Sequence, residues 1–345
     1  MANKRDEPGH KDRFRSHPHK KTSGSHRLKQ KDLVMRIFFM FEEEYEKQDV
    51  ESIWNIKIPI ERIKDYLKDT CDVNYRSNLW VYTQLKRYEE ELGVRLFKKE
   101  TADNSDNGEF YLSIYDRMLK FYQKQHLYVS KKIKVANAVY DKIKNDVNAQ
   151  PEKERRIKIL LGAGSTIYHL ANIIADKSWY DPIHYSIYTH NLGSLKRLLE
   201  PSVNYNTIEV FTPSGKVDPV TYTIIGDPDF LCNAGAFDYI AMGTSYVFKG
   251  ELFVESKQES NIKRAILKEA EGTKLLILTK HEFTDKKPEG LNPYGYLSDY
   301  NYVVVPRIST SNEIRKKYDK VFETYRNIFE PEILHWNYSI FKVTG

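Results

Sequence analysis

The residues whose types and spacing best suit chemistry form a turn between a predicted strand and a predicted helix. The strand, 157–161, is a short apolar run of the kind that is covered on both faces of a sheet. The glycines of the turn 162–166 allow backbone geometries that a side chain would block, and its hydroxyls lie beside the free N–H groups of a helix start. The pattern predicts an anion site, or alternatively a tight turn without a ligand. The candidate contacts are Gly162, Ala163, Gly164, Ser165 and Thr166.

Strands and helices are predicted to alternate from residue 157 onwards. The predicted strands are 157–161, 183–189, 207–212, 221–225, 237–242, 274–279 and 300–305, and the clearest predicted helices are 165–175, 191–199, 258–270 and 312–328. This alternation predicts an α/β domain with a mostly parallel sheet, in which ligands bind at the carboxyl ends of the strands. The glycine turn is neither a Walker loop nor a full dinucleotide fingerprint, because it lacks a following Gly-Lys-Ser/Thr and a third glycine.

Other candidate ligand contacts lie beside other predicted strands. The segment 189–191 follows a strand and precedes a helix, so its side chains either line the same cleft or cap that helix. Asp238 either hydrogen-bonds a sugar hydroxyl or is a structural carboxylate at a strand start. Lys280 either adds positive charge near a phosphate or is a solvated loop residue. The additional candidates are Thr189, His190, Asn191, Asp238, Gly243 and Lys280.

The N-terminal part is predicted to contain three helices followed by a β-hairpin. The helices cover 32–48, 59–68 and 77–92, and the strands cover 94–97 and 110–112. Ser77 is expected to cap the third helix and Gly93 to end it. Ser113 is expected to cap a further helix, and residues 115–145 are predicted to form a long linker helix that either is continuous or breaks near residues 124–129. Three helices and a hairpin in this order are typical of a winged helix-turn-helix.

The net charge of +6 is concentrated at the N-terminus. Residues 1–31 hold ten Lys/Arg and three Asp/Glu, a net charge of +7, so the rest of the chain carries −1. This tail has few apolar residues, which predicts disorder, and it either contacts a polyanion such as nucleic acid or is only a solubilising segment. The two cysteines are typical of a reducing cytosol, and no apolar run is long enough to predict a membrane span.

The run Gln-Leu-Lys-Arg-Tyr-Glu-Glu-Glu-Leu-Gly-Val-Arg-Leu-Phe at 84–97 resembles the DNA-binding domain of LysR-type regulators. In that family it covers the end of the recognition helix and the first wing strand. Residues 32–125 hold 15 Lys/Arg and 19 Asp/Glu, so a winged helix that contacts protein instead of DNA is the alternative. The resemblance implies major-groove contacts from Ser77, Asn78, Thr83 and Lys86, and phosphate contacts from Arg87, Lys98 and Lys99.

Six segments of the C-terminal half resemble, in order, the sensor domain of DeoR-type regulators. They include Gly-Ala-Gly-Ser-Thr at 162–166, Ile-Tyr-Thr-His-Asn-Leu at 187–192 and Phe-Asp-Tyr-Ile-Ala-Met-Gly-Thr at 237–244. The resemblance implies the ribose-phosphate isomerase and sugar-phosphate deaminase superfamily, with the glycine turn as its phosphate loop. His190 replaces the family's Asn, and residues 279–283 depart from its Asp-Ser-Ser-Lys-Phe. The expected ligand is therefore a sugar phosphate, a nucleotide-derived compound or another phosphorylated metabolite, and a ligand-free structural role stays open.

Together these patterns predict an α+β winged helix-turn-helix followed by an α/β domain with a mostly parallel sheet. The predicted units are a disordered basic tail (1–31), a winged helix-turn-helix (32–113), a linker helix (114–150) and a sensor domain (151–345). The predicted function is a cytoplasmic, ligand-responsive transcriptional regulator that binds DNA and a phosphorylated effector. We expect a homo-oligomer without a cofactor, enzymatic activity or membrane contact. The alternatives are a sugar-phosphate isomerase- or deaminase-like enzyme and a signalling or defence adaptor.

Overall fold

The computed structural model describes residues 27–48, 50, 52–101, 110–115, 120–149, 156–232, 234–307 and 322–344. Most of the predicted basic tail lies outside the described residues, as does most of the predicted helix 312–328. Within the described part of the chain, no helix is long and apolar enough to cross a membrane.

The N-terminal part packs three helices against a small antiparallel sheet, around one apolar core. Ser77 accepts a hydrogen bond from the backbone N–H of Trp80, and Gly93 adopts φ +63°, so the third helix begins and ends where the sequence predicts. The strands follow the spatial order β1-β3-β2. The elements are α1 (Gln30–Lys47), a 3-10 helix (Ile53–Asn55), β1 (Ile58–Pro59), α2 (Ile60–Cys71), α3 (Asn78–Leu92), β2 (Phe97–Thr101) and β3 (Phe110–Ile114).

The first hairpin strand begins later than its predicted start at residue 94. The buried carboxylate of Glu89 accepts hydrogen bonds from the backbone N–H groups of Leu96 (2.7 Å) and Phe97 (2.8 Å). These hydrogen bonds hold the segment before the hairpin against α3. Strand pairing therefore starts later, and β2 begins at Phe97.

The predicted linker helix has the break that the sequence left open near residues 124–129. Ser113 lies inside β3, where it pairs with Lys98, and it caps no helix. The described connection contains α4 (Phe121–Lys124) and α5 (Val129–Asn148), separated by a break in which Tyr128 adopts φ +54°. The apolar face of α5 is buried in the core of the α/β domain, so this helix belongs to that domain.

The C-terminal part is an α/β domain on an eight-stranded, mostly parallel sheet, which confirms the predicted class. Only β16 runs opposite to the other strands, in the order β15-β16-β14-β12-β9-β4-β5-β6. The strands are β4 (Arg156–Leu161), β5 (His184–Thr189), β6 (Ile208–Phe211), β9 (Phe237–Met242), β12 (Gly272–Ile277), β14 (Tyr302–Pro306), β15 (Phe329–Leu334) and β16 (Tyr338–Val343). The helices are α6 (Ser165–Lys177), α7 (Leu192–Leu198), α8 (Asp229–Cys232) and α9 (Lys257–Glu269).

Two small antiparallel sheets depart from the predicted alternation. The predicted strand 221–225 corresponds to β8 (Thr223–Gly226), which pairs with β7 (Gly215–Asp218) outside the main sheet. A second small sheet contains β10 (Tyr246–Phe248), β11 (Glu251–Val254) and β13 (Asn292–Tyr296). The described end of the predicted helix 312–328 includes a 3-10 helix, Glu323–Ile328. The domain core lies on both faces of the main sheet.

Candidate functional site

A cavity of about 570 Å³ lies at the carboxyl ends of β4, β9 and β12. The α/β domain supplies the turn after β4 and the loops after β9 and β12. The N-terminal part supplies Tyr45, Ile53 and Trp54, and the connection supplies Phe121 and Tyr128. Both parts of the chain therefore form walls of the same cavity.

The turn after β4 presents the start of α6 to this cavity. Gly164 adopts φ +115° and ψ +156°, a conformation essentially restricted to glycine. The first backbone N–H groups of α6 lack partners within the helix and lie at the cavity wall, together with the hydroxyls of Ser165 and Thr166. This end of the cavity therefore offers donors to an anion.

Lys132, from α5, is the buried cation beside this turn. Its ammonium group donates to the hydroxyl oxygen of Ser165 at 2.9 Å and to the carbonyl oxygen of Lys124. Burial lowers the pKa of Lys132 to about 7, even though the carboxylates of Glu282 and Glu42 favour its charged form. Because Ser165 accepts from Lys132, its own proton can point at a ligand oxygen. An anion placed here would favour protonated Lys132.

Two other lysines of the cavity have nearby carboxylates. The ammonium group of Lys263 lies 3.1 Å from a carboxylate oxygen of Glu259, and Lys124 is paired with Glu255. Within each pair, the carboxylate neutralises the charge of the lysine in the cavity wall. Among the residues that the structure describes, no group of three or more His, Cys, Asp or Glu side chains could hold a metal ion.

The structure brings six of the predicted ligand contacts to the cavity and leaves five away from its lining. Asp238 begins β9, whereas the cavity lies at the other end of that strand, and its carboxylate accepts a hydrogen bond from the backbone N–H of Lys158. Of the two alternatives for Asp238, this arrangement therefore supports the structural carboxylate at a strand start. The lining residues are Ala163, Gly164, Ser165, Thr166, Gly243 and Lys280; Gly162, Thr189, His190, Asn191 and Asp238 do not line the cavity.

The segment 189–191 supports the turn from behind instead of lining the cavity. Asn191 caps α7, and its amide donates to the carbonyl oxygens of Gly164 (3.0 Å) and Gly162 (3.3 Å). The hydroxyl of Thr189 donates to the carbonyl oxygen of Leu161 at 2.8 Å. His190 is fully buried, and burial lowers its pKa to about 3, so its ring is neutral at pH 7. These residues shape the turn and do not line the cavity.

Sequence reasoning missed Lys132 as a site residue. A helical spacing of three, four and seven residues places it on the same face as Val135, Ala136 and Val139, all of which are fully buried. A lysine on such an apolar face is a signal that the sequence already contains. The contributions of Tyr45 and Trp54 carry no comparable signal, because they depend on the docking of the two parts.

The residues predicted to contact DNA are partly engaged within the protein. Lys86 pairs with Glu89 at 2.5 Å, and Lys99 lies over the ring of Phe110, 4.5 Å from its centroid. Arg87 is exposed. Ser77 caps α3, Asn78 donates to Glu61, the Thr83 hydroxyl donates to the carbonyl oxygen of Leu79, and Lys98 lies over the ring of Tyr115.

Replacing Gly164 with alanine is expected to cost about 1–3 kcal/mol of folding free energy, because the side chain must adopt a strained φ of +115°. No atom lies within 4 Å of the added Cβ, so the cost comes from the backbone and not from a clash. Gly243→Ala is the matched control, since its Cβ would meet only the Ile277 carbonyl oxygen at 3.7 Å. Denaturant unfolding measures both variants. Equal stability of the two would contradict the assigned turn geometry.

No protein-family model and no curated protein sequence matches the chain. The chain is similar to ribose 5-phosphate isomerase A from Methanocaldococcus jannaschii, at 12% identity over 62% of this chain and 79% of that one, with a TM-score of 0.30. It is similar to ribose 5-phosphate isomerase A from Neisseria gonorrhoeae, at 11% identity over 66% and 78%, with a TM-score of 0.29. It is also similar to eIF2B delta from Chaetomium thermophilum, at 10% identity over 80% and 90%, with a TM-score of 0.34. These scores mark distant similarity, and no argument about activity rests on them.

Proposed function

We propose that this chain is a ligand sensor that binds a phosphorylated small molecule between its two parts. The observation that carries the proposal is the composition of the cavity wall, to which α1, the connection and the α/β domain all contribute. A ligand that contacts both parts binds one of their arrangements better than another, and it shifts the population towards that arrangement.

The phosphate end of the ligand is assigned to the start of α6. Free backbone N–H groups, the hydroxyls of Ser165 and Thr166, and the ammonium group of Lys132 meet there. Lys263 and Lys124 each form a direct ion pair with a carboxylate in the same wall, whereas Lys132 donates to the neutral oxygens of Ser165 and the Lys124 carbonyl. Lys132 is therefore better placed than these two lysines to gain from an incoming anion.

The N-terminal part is the proposed output module, with DNA as its proposed partner. Its order of helix, strand, two helices and two strands supports a winged helix-turn-helix. The sequence of the basic tail adds a net charge of +7 next to this module. The engagement of Lys86 by Glu89 favours protein contact as the competing output, because it removes one phosphate contact. A regulator of symmetric operators would act as a homo-oligomer.

Titration of fluorescent duplex DNA with the full chain, at several salt concentrations, tests this output. We expect binding that weakens steeply with salt and that changes when a phosphorylated metabolite is added. The panel contains pentose phosphates, aminosugar phosphates and nucleoside monophosphates. Absence of DNA binding at low salt would contradict DNA as the partner and would favour a protein partner.

An isomerase- or deaminase-like enzyme is the second candidate, and one observation favours it. Lys132, with a pKa of about 7, lies in the same cavity as Glu282, whose pKa burial raises. Perturbed groups of opposite type in one cavity can exchange protons with a substrate near neutral pH. Incubation with pentose and aminosugar phosphates separates the candidates, because turnover at ordinary enzymatic rates would contradict a pure sensor.

A further inference from the structure

Resting on the proposed function, we infer that the ligand carries a planar aromatic ring as well as a phosphate, as a nucleotide does. The start of α6 would hold the phosphate, and the aromatic side chains of the cavity wall would hold the ring. Of the three ligand classes that the sequence left open, this inference selects the nucleotide-derived compound.

The first observation is the aromatic wall of the cavity. The rings of Tyr128 and His281 are stacked, with centroids 3.5 Å apart and planes 8° apart, and the ring of Tyr45 lies 6.1 Å from His281. Trp54 and Tyr246 also line the cavity. These five rings come from α1, the 3-10 helix, the connection, the loop after β12 and strand β10. Their convergence on one cavity favours a flat apolar group as part of its occupant.

The second observation is the space available. A cavity of about 570 Å³ falls within the range of about 300–1,000 Å³ in which proteins bind drug-sized ligands. A pentose phosphate at the start of α6 would leave the aromatic side unfilled, whereas a nucleotide adds a ring to the same phosphate and sugar.

The third observation is the short distance along α5 between the residue that would bind the ring and the residue that would bind the phosphate. Tyr128 precedes the helix and Lys132 lies four residues later, about 6 Å along the helix axis, so one helical turn separates the ring-binding end from the anion-binding end. A pentose links phosphate and base over a comparably short span. Tyr128 and Lys280 both adopt positive φ, and Lys280 precedes the stacked His281. Strained backbone of this kind occurs at ligand clamps.

The fourth observation is the exposure of Tyr246. Its side chain is 39% exposed although its strand, β10, is part of a paired sheet. Glu255 and Ser245 lie beside it in the cavity wall, and the hydroxyl of Ser245 donates to the Glu255 carboxylate at 2.7 Å. An aromatic face next to a polar rim suits a heterocycle with polar edge groups.

Isothermal titration of the full chain with AMP, ribose 5-phosphate and inorganic phosphate tests this inference. We expect AMP to bind at least about tenfold more tightly than ribose 5-phosphate, because stacking adds only to the AMP complex. Tyr246→Leu and Trp54→Leu should each remove most of that advantage, by weakening AMP binding more than ribose 5-phosphate binding. Tyr180→Leu and Trp179→Leu are the matched controls, since these side chains are 86% and 62% exposed and lie outside the cavity lining.

The outcomes separate this inference from the proposed function. Equal affinity for AMP and ribose 5-phosphate, or an AMP advantage that survives both cavity variants, overturns the ring site and leaves the sensor proposal standing. Absence of binding by all three compounds overturns both. Quenching of tryptophan fluorescence by AMP, lost in Trp54→Leu and kept in Trp179→Leu, gives a second readout that does not depend on Tyr246→Leu folding.

Discussion

Replacing Lys132 with methionine is expected to weaken the binding of a phosphate ester by about ten- to a hundredfold at pH 7. A hydrogen bond to a charged group contributes about 1.5–3 kcal/mol, and Lys132 is the buried ammonium group beside the proposed phosphate position. Methionine keeps a similar apolar volume without the charge, so the fold should persist. Isothermal titration measures the affinity, and circular dichroism checks the fold.

The same variant should remove the pH dependence of binding. The folded-state pKa of Lys132 is about 7, well below its ordinary value of 10.5, and an anion stabilises the protonated form. Affinity is therefore highest between about pH 6 and pH 7 and falls above that range, by at most about tenfold per pH unit. A phosphate monoester, with a second pKa of about 6, is already dianionic in that range. The groups facing Lys132 are the carboxylates of Glu282 and Glu42, the ammonium group and carbonyl oxygen of Lys124, and the hydroxyl of Ser165.

Lys134→Met is the matched control, because it removes the same charge from the same helix outside the cavity lining. It should leave both the affinity and the pH profile of the wild type unchanged. If Lys134→Met loses as much affinity as Lys132→Met, the effect is one of net charge. If the pH profile survives in Lys132→Met, another group carries it, and the assignment of Lys132 is wrong.

Replacing Glu89 with alanine is expected to destabilise the N-terminal part by about 3–5 kcal/mol. The buried carboxylate accepts hydrogen bonds from the backbone N–H groups of Leu96 and Phe97 and pairs with Lys86. Its removal leaves two buried donors and one cation without their partner, and it frees the start of β2. Denaturant unfolding of the full chain measures the loss.

Glu90→Ala provides the comparison for Glu89→Ala, since Glu90 is the next residue on α3 and is exposed. The free energy of unfolding of Glu90→Ala should differ from that of the wild type by no more than about 0.5 kcal/mol, as is usual for surface substitutions. Similar losses in the two variants would show that Glu89 does not join α3 to the hairpin.

The main sheet and the glycine turn could be predicted because their signals are local. Apolar runs mark buried strands, and two glycines before Ser165 mark a strand-to-helix turn. The same local rules place Ser77 as the cap of α3 and Gly93 at its end. The winged helix-turn-helix assignment stays a prediction, since the order of elements alone supports it.

The features that the sequence could not predict depend on contacts between distant parts of the chain. Periodicity indicates a break near residues 124–129, but it could not show that Tyr45 and Trp54 reach the cavity, because docking of the two parts decides that. Position in the strand decides between the two alternatives for Asp238, in favour of the structural carboxylate. A side chain at the start of a parallel strand lies at the opposite edge of the sheet from the ligand site.

Hydrogen–deuterium exchange of the full chain, with and without saturating AMP or ribose 5-phosphate, tests the central claim most directly. A ligand bound between the two parts should slow exchange at the start of α6, residues 165–168, and in the 3-10 helix Ile53–Asn55, with the same dependence on ligand concentration. Protection confined to the α/β domain, or no protection with either compound, would contradict a sensor site formed by both parts of the chain.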